Sequence, residues 1–183
     1  MKIIKGKERT EDRLLKMVLL TKQGKILDCG CDWNNMPCQS RGREIIGIDI
    51  KNGLKGNYKQ KIIHDLNKPL PFKDETFDNI LAGNIIEHLP NFVGFLEECH
   101  RTLKKGGKLI IGTNNKLWVT RPYHIKEWDY WQFRKLLTCL FCGNFKIISS
   151  FGYTKILPLI RKCLLLHNMP FLWELMVFEM EKR

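Results

Sequence analysis

Two short apolar stretches, each ending in an acidic residue, place the tightest limit on how this chain folds. In Lys25–Asn34 (KILDCGCDWN), β-prone residues lead into Asp28 and then Gly30. In Glu44–Ile50 (EIIGIDI), a similar run ends at Asp49. Both patterns predict buried strands. A strand that runs into a glycine turn offers backbone N–H groups and a carboxylate to a nucleotide-like ligand, and an acid ending the next strand can hold ribose hydroxyls.

Alternating strand and helix patterns follow this pair and predict a single domain over residues 1–183. The predicted strands are Lys61–His64, Thr76–Ala82, Lys108–Thr113, Phe145–Ser150 and Leu172–Met180, and the main predicted helices are Pro90–Leu103 and Glu127–Phe141. An amphipathic helix is expected within residues 1–23, and residues 151–172 form an apolar and basic connector or lid. This order favours an α/β sandwich with a mostly parallel sheet.

The charge balance points to anionic partners without identifying one. Lys and Arg total 31 against 19 Asp and Glu, a net charge of +12. Such an excess attracts phosphates, RNA or anionic lipid, although a solvated lysine-rich surface is the plainer explanation. The best apolar run is split by Arg161 and Lys162, so we predict no segment that spans a bilayer.

Seven cysteines, an odd number, favour a reducing cytoplasm over a disulfide framework. Cys139 and Cys142 have the spacing of a metal-binding pair, but no second pair accompanies them. Zinc sites need four ligands, so we predict no zinc centre and assign these two residues to a helix core.

Four segments together resemble the class I S-adenosylmethionine-dependent methyltransferases, in particular the small single-domain group that acts on quinones, lipids and sugars. The resemblance covers about residues 25–151. The segments are Ile26–Cys31, Gly47–Ile50, His64–Leu66 with Leu70–Asp78, and Ile85–Pro90 with Leu103–Ile110. The resemblance implies a Rossmann-like three-layer sandwich with a seven-stranded, mostly parallel sheet and an antiparallel last strand.

The same resemblance implies S-adenosyl-L-methionine as cofactor and assigns roles along the predicted strand ends. Asp49 is expected to accept hydrogen bonds from the ribose hydroxyls, and Asp65 from the adenine amino group. Ile50 and Leu66 are expected to clamp the adenine ring by apolar contact. Backbone groups of Gly30, Cys31, Gly83 and Asn84 are expected near the amino-acid end of the cofactor. Asp28 is expected either to orient the loop or to receive the cofactor's ammonium.

One part of the first loop departs from the family pattern, because Asp32 and Asn34 stand where glycines are usual. Asn and Asp are the non-glycine residues that best tolerate left-handed backbone. Asp32 also brings a negative charge near the cofactor carboxylate, which we expect to weaken binding.

Methyl transfer to a hydroxyl needs a base, and His88 and His124 are the candidates. Each could instead be structural, His88 as a helix cap and His124 as a partner of backbone groups. Some relatives hold a metal through a Glu-x-x-Glu-His run. Here Asn84 replaces the first carboxylate, so we predict no metal.

Aromatic and basic residues crowd the segment after the fifth strand. Trp118, Tyr123, Trp128, Tyr130 and Trp131 could stack on a planar acceptor beside positive charge, although rings on the helix face, such as Trp131, could equally be core.

Three hypotheses follow: a methyltransferase acting on a small, lipid-linked or saccharide-like acceptor, with possible peripheral contact with an anionic membrane; an RNA methyltransferase; and a non-catalytic relative with weak cofactor binding. The oligomeric state is not predicted.

Overall fold

The computed structural model describes residues 23–31, 43–51, 58–140, 143–153 and 174–183. Within these ranges the strands are β1 (Gly24–Cys29), β2 (Arg43–Asp49), β3 (Gln60–Ile63), β4 (Phe77–Gly83), β5 (Leu103–Asn114), β6 (Phe145–Tyr153) and β7 (Leu175–Lys182). The helices are α1 (Phe92–Thr102) and α2 (Tyr130–Leu140), with a short 3-10 helix at Ile86–His88. The predicted 1–23 helix, except for Gln23, and residues 154–172 of the connector lie outside the described residues.

The described strands form one seven-stranded sheet in the order β3-β2-β1-β4-β5-β7-β6. Neighbouring strands from β1 to β5 are parallel, whereas β7 is antiparallel to both β5 and β6. The predicted mostly parallel sheet with an antiparallel last strand is therefore confirmed.

Both faces of the sheet are apolar, which explains why the strands appear as nearly continuous hydrophobic runs. On one face, Leu27 and Ile80 belong to a cluster that includes Phe95 of α1 and Phe133 of α2. On the other face, Ile26, Leu81 and Val177 belong to a second cluster. Burial on both sides fixes the register of each strand, and hence the positions of the residues at the strand ends.

Several predicted boundaries are wrong, and local capping explains two of them. The first described helix begins at Phe92 rather than Pro90, because the Asn91 side chain caps it by accepting a hydrogen bond from the Gly94 amide at 3.2 Å. The second begins at Tyr130 rather than Glu127, after the Asp129 carboxylate accepts a hydrogen bond from the Gln132 amide at 2.9 Å.

Pairing across the sheet shifts the remaining boundaries. The strand β5 begins at Leu103, five residues before the predicted start at Lys108, so Gly106 and Gly107 lie within a strand. The strand β7 runs to Lys182 because it pairs with β5 as far as Glu181 and with Phe145 of β6 at Lys182. Cys139 is exposed, so its assignment to a helix core is wrong, and Cys142 lies outside the described residues. No helix in the described ranges is long and apolar enough to cross a membrane.

Candidate functional site

The residues predicted to bind the cofactor follow the carboxyl ends of neighbouring parallel strands, which meet along one edge of the sheet. Backbone hydrogen bonds hold these ends together. The Gly30 amide donates to the Ile48 carbonyl at 2.9 Å, and the His64 amide donates to the Asp49 carbonyl at 2.8 Å. Open α/β sheets bind ligands at this edge. The structure therefore collects the predicted residues of β1 to β4 into one region.

Asp28 is a buried carboxylate on β1, one residue before the strand ends. Its Oδ2 accepts a hydrogen bond from the Tyr58 hydroxyl at 2.7 Å. Burial raises the pKa of Asp28 to about 7, a change that the Tyr58 hydrogen bond opposes and the nearby charge of Asp49 reinforces. The end of β1 is therefore an environment in which a positive charge would be favourable.

Asp49 ends β2 and is also buried. Its Oδ1 accepts a hydrogen bond from the Lys51 amide at 3.1 Å, which orients the carboxylate at the strand end. Ile50 follows with 64% of its surface exposed, an unusual position for a large aliphatic side chain. An apolar side chain beside an oriented carboxylate matches the expected binding of a ribose and its base.

Gly30 makes the turn after β1 with φ +77°, in the left-handed region that favours glycine. A Cβ at this position would lie 2.9 Å from Cδ1 of Ile85. The turn therefore requires glycine for both its conformation and its space. Cys31 follows and is buried, whereas Asp32 and Asn34 lie outside the described residues.

Asp65 follows β3, and its carboxylate is held by the next turn. Oδ1 accepts hydrogen bonds from the Asn67 amide and from Asn67 Nδ2, both at 2.9 Å, and these bonds lower the pKa of Asp65. Asp65 is therefore ionised at neutral pH and able to accept a hydrogen bond from an adenine amino group. Leu66 is buried in the main core cluster.

Gly83 and Asn84 follow β4. Asn84 adopts left-handed backbone at φ +53°, and its amide donates to the Gly112 carbonyl at 2.9 Å. Its Oδ1 is buried and has no hydrogen-bond partner among the described residues. A buried acceptor without a donor is costly, which favours completion of the site by a ligand.

The described residues fit S-adenosylmethionine on three observations. Asp28 lies where a cation would relieve its burial, and Asp49 is oriented at a strand end. The Asn84 oxygen is available for a donor. The cofactor roles of the predicted residues stay predictions.

The two candidate bases, His88 and His124, come together although they are separated by 36 positions in the chain. Their ring centroids lie 5.1 Å apart. His124 is almost completely buried, and its Nδ1 lies 2.7 Å from Oε1 of Glu127. A carboxylate at Nδ1 favours the tautomer that leaves Nε2 as a proton acceptor.

Glu87 lies beneath the two histidines and is buried. Its Oε2 accepts a hydrogen bond from the Thr113 hydroxyl at 2.9 Å, and burial raises its pKa. One ligand atom from each of Glu87, His88 and His124 lies within 4.8 Å of the others. A carboxylate and two imidazoles can bind a transition metal, so this is where a metal would bind if the prediction of no metal were wrong.

Three residues that contribute to this region were not identified from the sequence. Tyr58 lies on the loop before β3 and had no local pattern linking it to Asp28. Glu87 was considered only as part of a metal-binding run. Glu127 is three residues after His124, a spacing that could have suggested the contact.

Much of the aromatic segment after β5 faces solvent. Trp128 and Tyr130 are buried, whereas Trp118, Tyr123 and Trp131 are exposed. The suggestion that Trp131 is core is therefore wrong, because α2 turns Phe133 and Leu137 inward instead. Tyr123 stacks against His88 with a centroid distance of 5.7 Å.

Sequence comparison shows that the part of the chain containing β1 to β4 is similar to a known family. Residues 27–111 match the methyltransferase domain family. An uncharacterized protein of Methanocaldococcus jannaschii is 37% identical over 110 residues, which are 56% of this chain and 46% of that protein. A demethylmenaquinone methyltransferase of Bacillus pumilus is 27% identical over 121 residues, which are 58% of this chain and 52% of that protein. The chain spans about half the length of these relatives.

Structural comparison extends the similarity to most of the chain. An S-adenosylmethionine-dependent methyltransferase from Mesorhizobium loti superimposes with a TM-score of 0.65 and 15% identity, over 96% of this chain and 99% of that structure. At this identity the match establishes the fold.

Proposed function

We propose that this chain transfers a methyl group to a hydroxyl of a small, lipid-linked or saccharide-like acceptor. The proposal is supported by the fold and, over residues 27–111, by a sequence pattern similar to that of the class I S-adenosylmethionine-dependent methyltransferases. One observation carries this proposal. Two buried carboxylates, Asp28 and Asp49, lie at the ends of adjacent parallel strands beside the Gly30 turn. That arrangement suits a ligand that combines ribose hydroxyls with positive charge.

S-adenosylmethionine supplies an electrophilic methyl group when it is bound. The protein residues would hold and align it: Asp49 would accept hydrogen bonds from the ribose, Asp65 would accept one from the adenine, and Asp28 would attract the cationic end. Ile50 would cover one side of the base, and backbone groups of Gly30, Cys31, Gly83 and Asn84 would line the rest. Alignment of two reactants is the largest contribution that such a site makes.

One of the two histidines, His124 or His88, is proposed to accept the single proton of the acceptor hydroxyl as the methyl group is transferred and S-adenosylhomocysteine leaves. The contact between His124 and Glu127 supports this role, because the carboxylate stabilises the imidazolium that would form. Glu87 lies next to both rings, since one ligand atom from each of the three residues lies within 4.8 Å of the others. No role for a metal is required in this proposal.

A lipid-linked acceptor is supported by the activity of a relative and by the exposed side chains near the bases. The Bacillus pumilus relative is a demethylmenaquinone methyltransferase. In this chain Tyr123 stacks on His88 and faces solvent, which suits a planar acceptor. With a net charge of +12, peripheral contact with an anionic membrane is part of the same proposal.

Isothermal titration of the full chain with S-adenosylmethionine and with S-adenosylhomocysteine tests the proposal. Binding of both is expected. Asp49→Ala should weaken the affinity roughly 100-fold, because about 3 kcal/mol from hydrogen bonds to a charged acceptor is lost. Asp74→Ala is a suitable control, since Asp74 is exposed before β4 and pairs with Arg101.

Absence of binding by the wild-type chain would reject the methyltransferase proposal. It would instead favour a non-catalytic role, with Asp32 and Asn34 in the first loop as the reason. If Asp49→Ala and the wild type bind S-adenosylmethionine with equal affinity, the cofactor does not bind at the end of β2.

A further inference from the structure

Exposed apolar side chains are concentrated beside the candidate bases. Of the nine large hydrophobic residues exposed within the described ranges, five fall between positions 117 and 131, so more than half of them lie in one short segment. They are 45% to 65% exposed and comprise Leu117, Trp118, Tyr123, Ile125 and Trp131.

The backbone that carries most of these side chains is held at its ends and in its middle. Asn115 bridges to Trp128, and the Lys116 amide donates to the Trp128 carbonyl at 2.9 Å. Within the loop, the Ile125 amide donates to the Glu87 carbonyl at 2.8 Å. We call residues 115–128 the acceptor loop. Its apolar side chains are presented to solvent by a hydrogen-bonded backbone.

Two cations accompany the apolar side chains. Arg121 and Lys126 are exposed, and neither side chain has an ionic partner among the residues that the structure describes. Lys116 differs, since its Nζ lies 2.7 Å from Gln132 Oε1 and 3.6 Å from Asp129 Oδ2. Within the described part of the chain, Arg121 and Lys126 are therefore the cations of this segment that could meet an external anion.

We propose that the acceptor loop together with Trp131 docks on the surface of an anionic lipid bilayer. This inference rests on the proposed function, since it names the source from which a lipid-linked acceptor would reach His88. Tyr123 connects the two regions, because one face of its ring stacks on His88 while most of its surface is exposed. A docked loop would hold the bases at the membrane interface.

The composition of the surface favours a bilayer over other occupants. Trp and Tyr rings settle at the boundary between headgroups and acyl chains, and basic side chains add attraction to anionic headgroups. Leu117 and Ile125 are aliphatic, so they can enter hydrocarbon but offer no ring for a nucleic-acid base. A protein partner would be expected to meet fewer unpaired cations at the centre of its interface.

Vesicle sedimentation with the full chain tests the docking surface. The probes are equimolar phosphatidylglycerol–phosphatidylcholine vesicles and pure phosphatidylcholine vesicles. We expect binding to the anionic vesicles and much weaker binding to the neutral ones. Leu117→Ser/Trp118→Ser should reduce the partition coefficient about tenfold through lost apolar burial, and Arg121→Gln/Lys126→Gln roughly fivefold for each charge removed.

Two matched controls separate a local surface from general attraction. Lys73→Gln/Lys105→Gln removes the same charge from exposed sites before β4 and in the first part of β5, at the opposite edge of the sheet. Ile148→Ser removes an exposed aliphatic side chain from β6. Both controls should bind anionic vesicles nearly as well as the wild type. Circular dichroism verifies that every variant is folded.

The proposal is overturned if the wild type does not bind the anionic vesicles, or if the control charge pair weakens binding as much as the loop pair. It is also overturned if RNA or a second copy of the chain, but not vesicles, protects the loop from proteolysis. Calorimetry with S-adenosylmethionine on the same samples distinguishes the two proposals. Vesicle binding without cofactor binding would refute methyl transfer and leave the docking surface supported. Cofactor binding without vesicle binding would refute the docking surface and leave methyl transfer supported.

Discussion

The cofactor edge and the acceptor loop are neighbouring regions built in different ways. At the cofactor edge, Asp28 and Asp49 are buried and lie on strands whose register is fixed by apolar packing on both faces. In the acceptor loop, an irregular backbone between β5 and α2 exposes large side chains and depends on contacts with Glu87. The sheet therefore positions the predicted cofactor residues directly, whereas the acceptor side depends on a few long-range polar contacts.

The largest expected difference between the two regions is the pH dependence of stability at the cofactor edge. The pKa of Asp28 is about 7 in the fold against an ordinary 3.8, so the folded chain retains a proton that the unfolded chain has released. The free energy of unfolding should therefore fall as pH rises from 3.8 to about 7. At pH values above that range, burial of the ionised Asp28 carboxylate lowers the free energy of unfolding by about 4 kcal/mol at most.

Urea unfolding of the wild type and of Asp28→Asn across this pH range isolates the effect. The variant should gain stability relative to the wild type as the pH rises, and saturating S-adenosylmethionine should reduce the gain by neutralising the carboxylate. A constant difference between the two proteins at every pH would show that Asp28 is not a buried, uncompensated acid.

A smaller effect is expected from the turn that follows β1. Gly30→Ala combines the cost of a left-handed alanine with a clash against Ile85, and should destabilise the chain by about 3 kcal/mol. Gly106→Ala is the matched variant, since Gly106 has φ +74° and a Cβ added there would meet no atom of the described residues within 4 Å. It should cost only about 1 kcal/mol.

Denaturant midpoints and cofactor titration of both variants test this difference. If the two substitutions cost the same, the Ile85 contact contributes nothing and the turn tolerates a side chain. Weaker cofactor binding is expected only for Gly30→Ala, since Gly106 lies near the start of β5, at the other edge of the sheet.

The smallest expected effect is on the acceptor side. Glu127→Gln removes a charged partner of His124 and of the Arg121 amide, and should destabilise the chain by about 1 kcal/mol. The affinity for S-adenosylmethionine should stay within about twofold of the wild type, because Glu127 is not among the proposed cofactor contacts. Calorimetry and the nuclear magnetic resonance signal of the His124 ring test both points.

A large loss of cofactor affinity in Glu127→Gln would contradict the separation of the two regions. The ring signal adds a readout of orientation, because the Nδ1 proton should exchange faster once the carboxylate is removed. An unchanged proton signal would show that Glu127 does not hold the ring.

The succession of strands along the chain and the acidic residues at their ends were predictable because burial on both faces gives short, continuous apolar runs, whereas the order of the strands within the sheet was not predicted. Asp28 and Asp49 stood out as acids that interrupt such runs. The starts of the helices were not predictable to the residue, since Asn91 and Asp129 cap helices that begin two and three residues later than predicted. Trp131 was misjudged because an amphipathic helix can leave a large ring exposed.

The sequence by itself determined the parallel α/β architecture and the positions of acidic residues at strand ends, because these depend on local apolar patterns and on turns. Only the tertiary structure decided which groups meet: the Tyr58 hydroxyl with Asp28, Glu127 with His124, and the Glu87 backbone carbonyl with the Ile125 amide. These contacts depend on the geometry of loops and on the direction of hydrogen bonds. Loop geometry and hydrogen-bond direction leave no periodic pattern in the sequence.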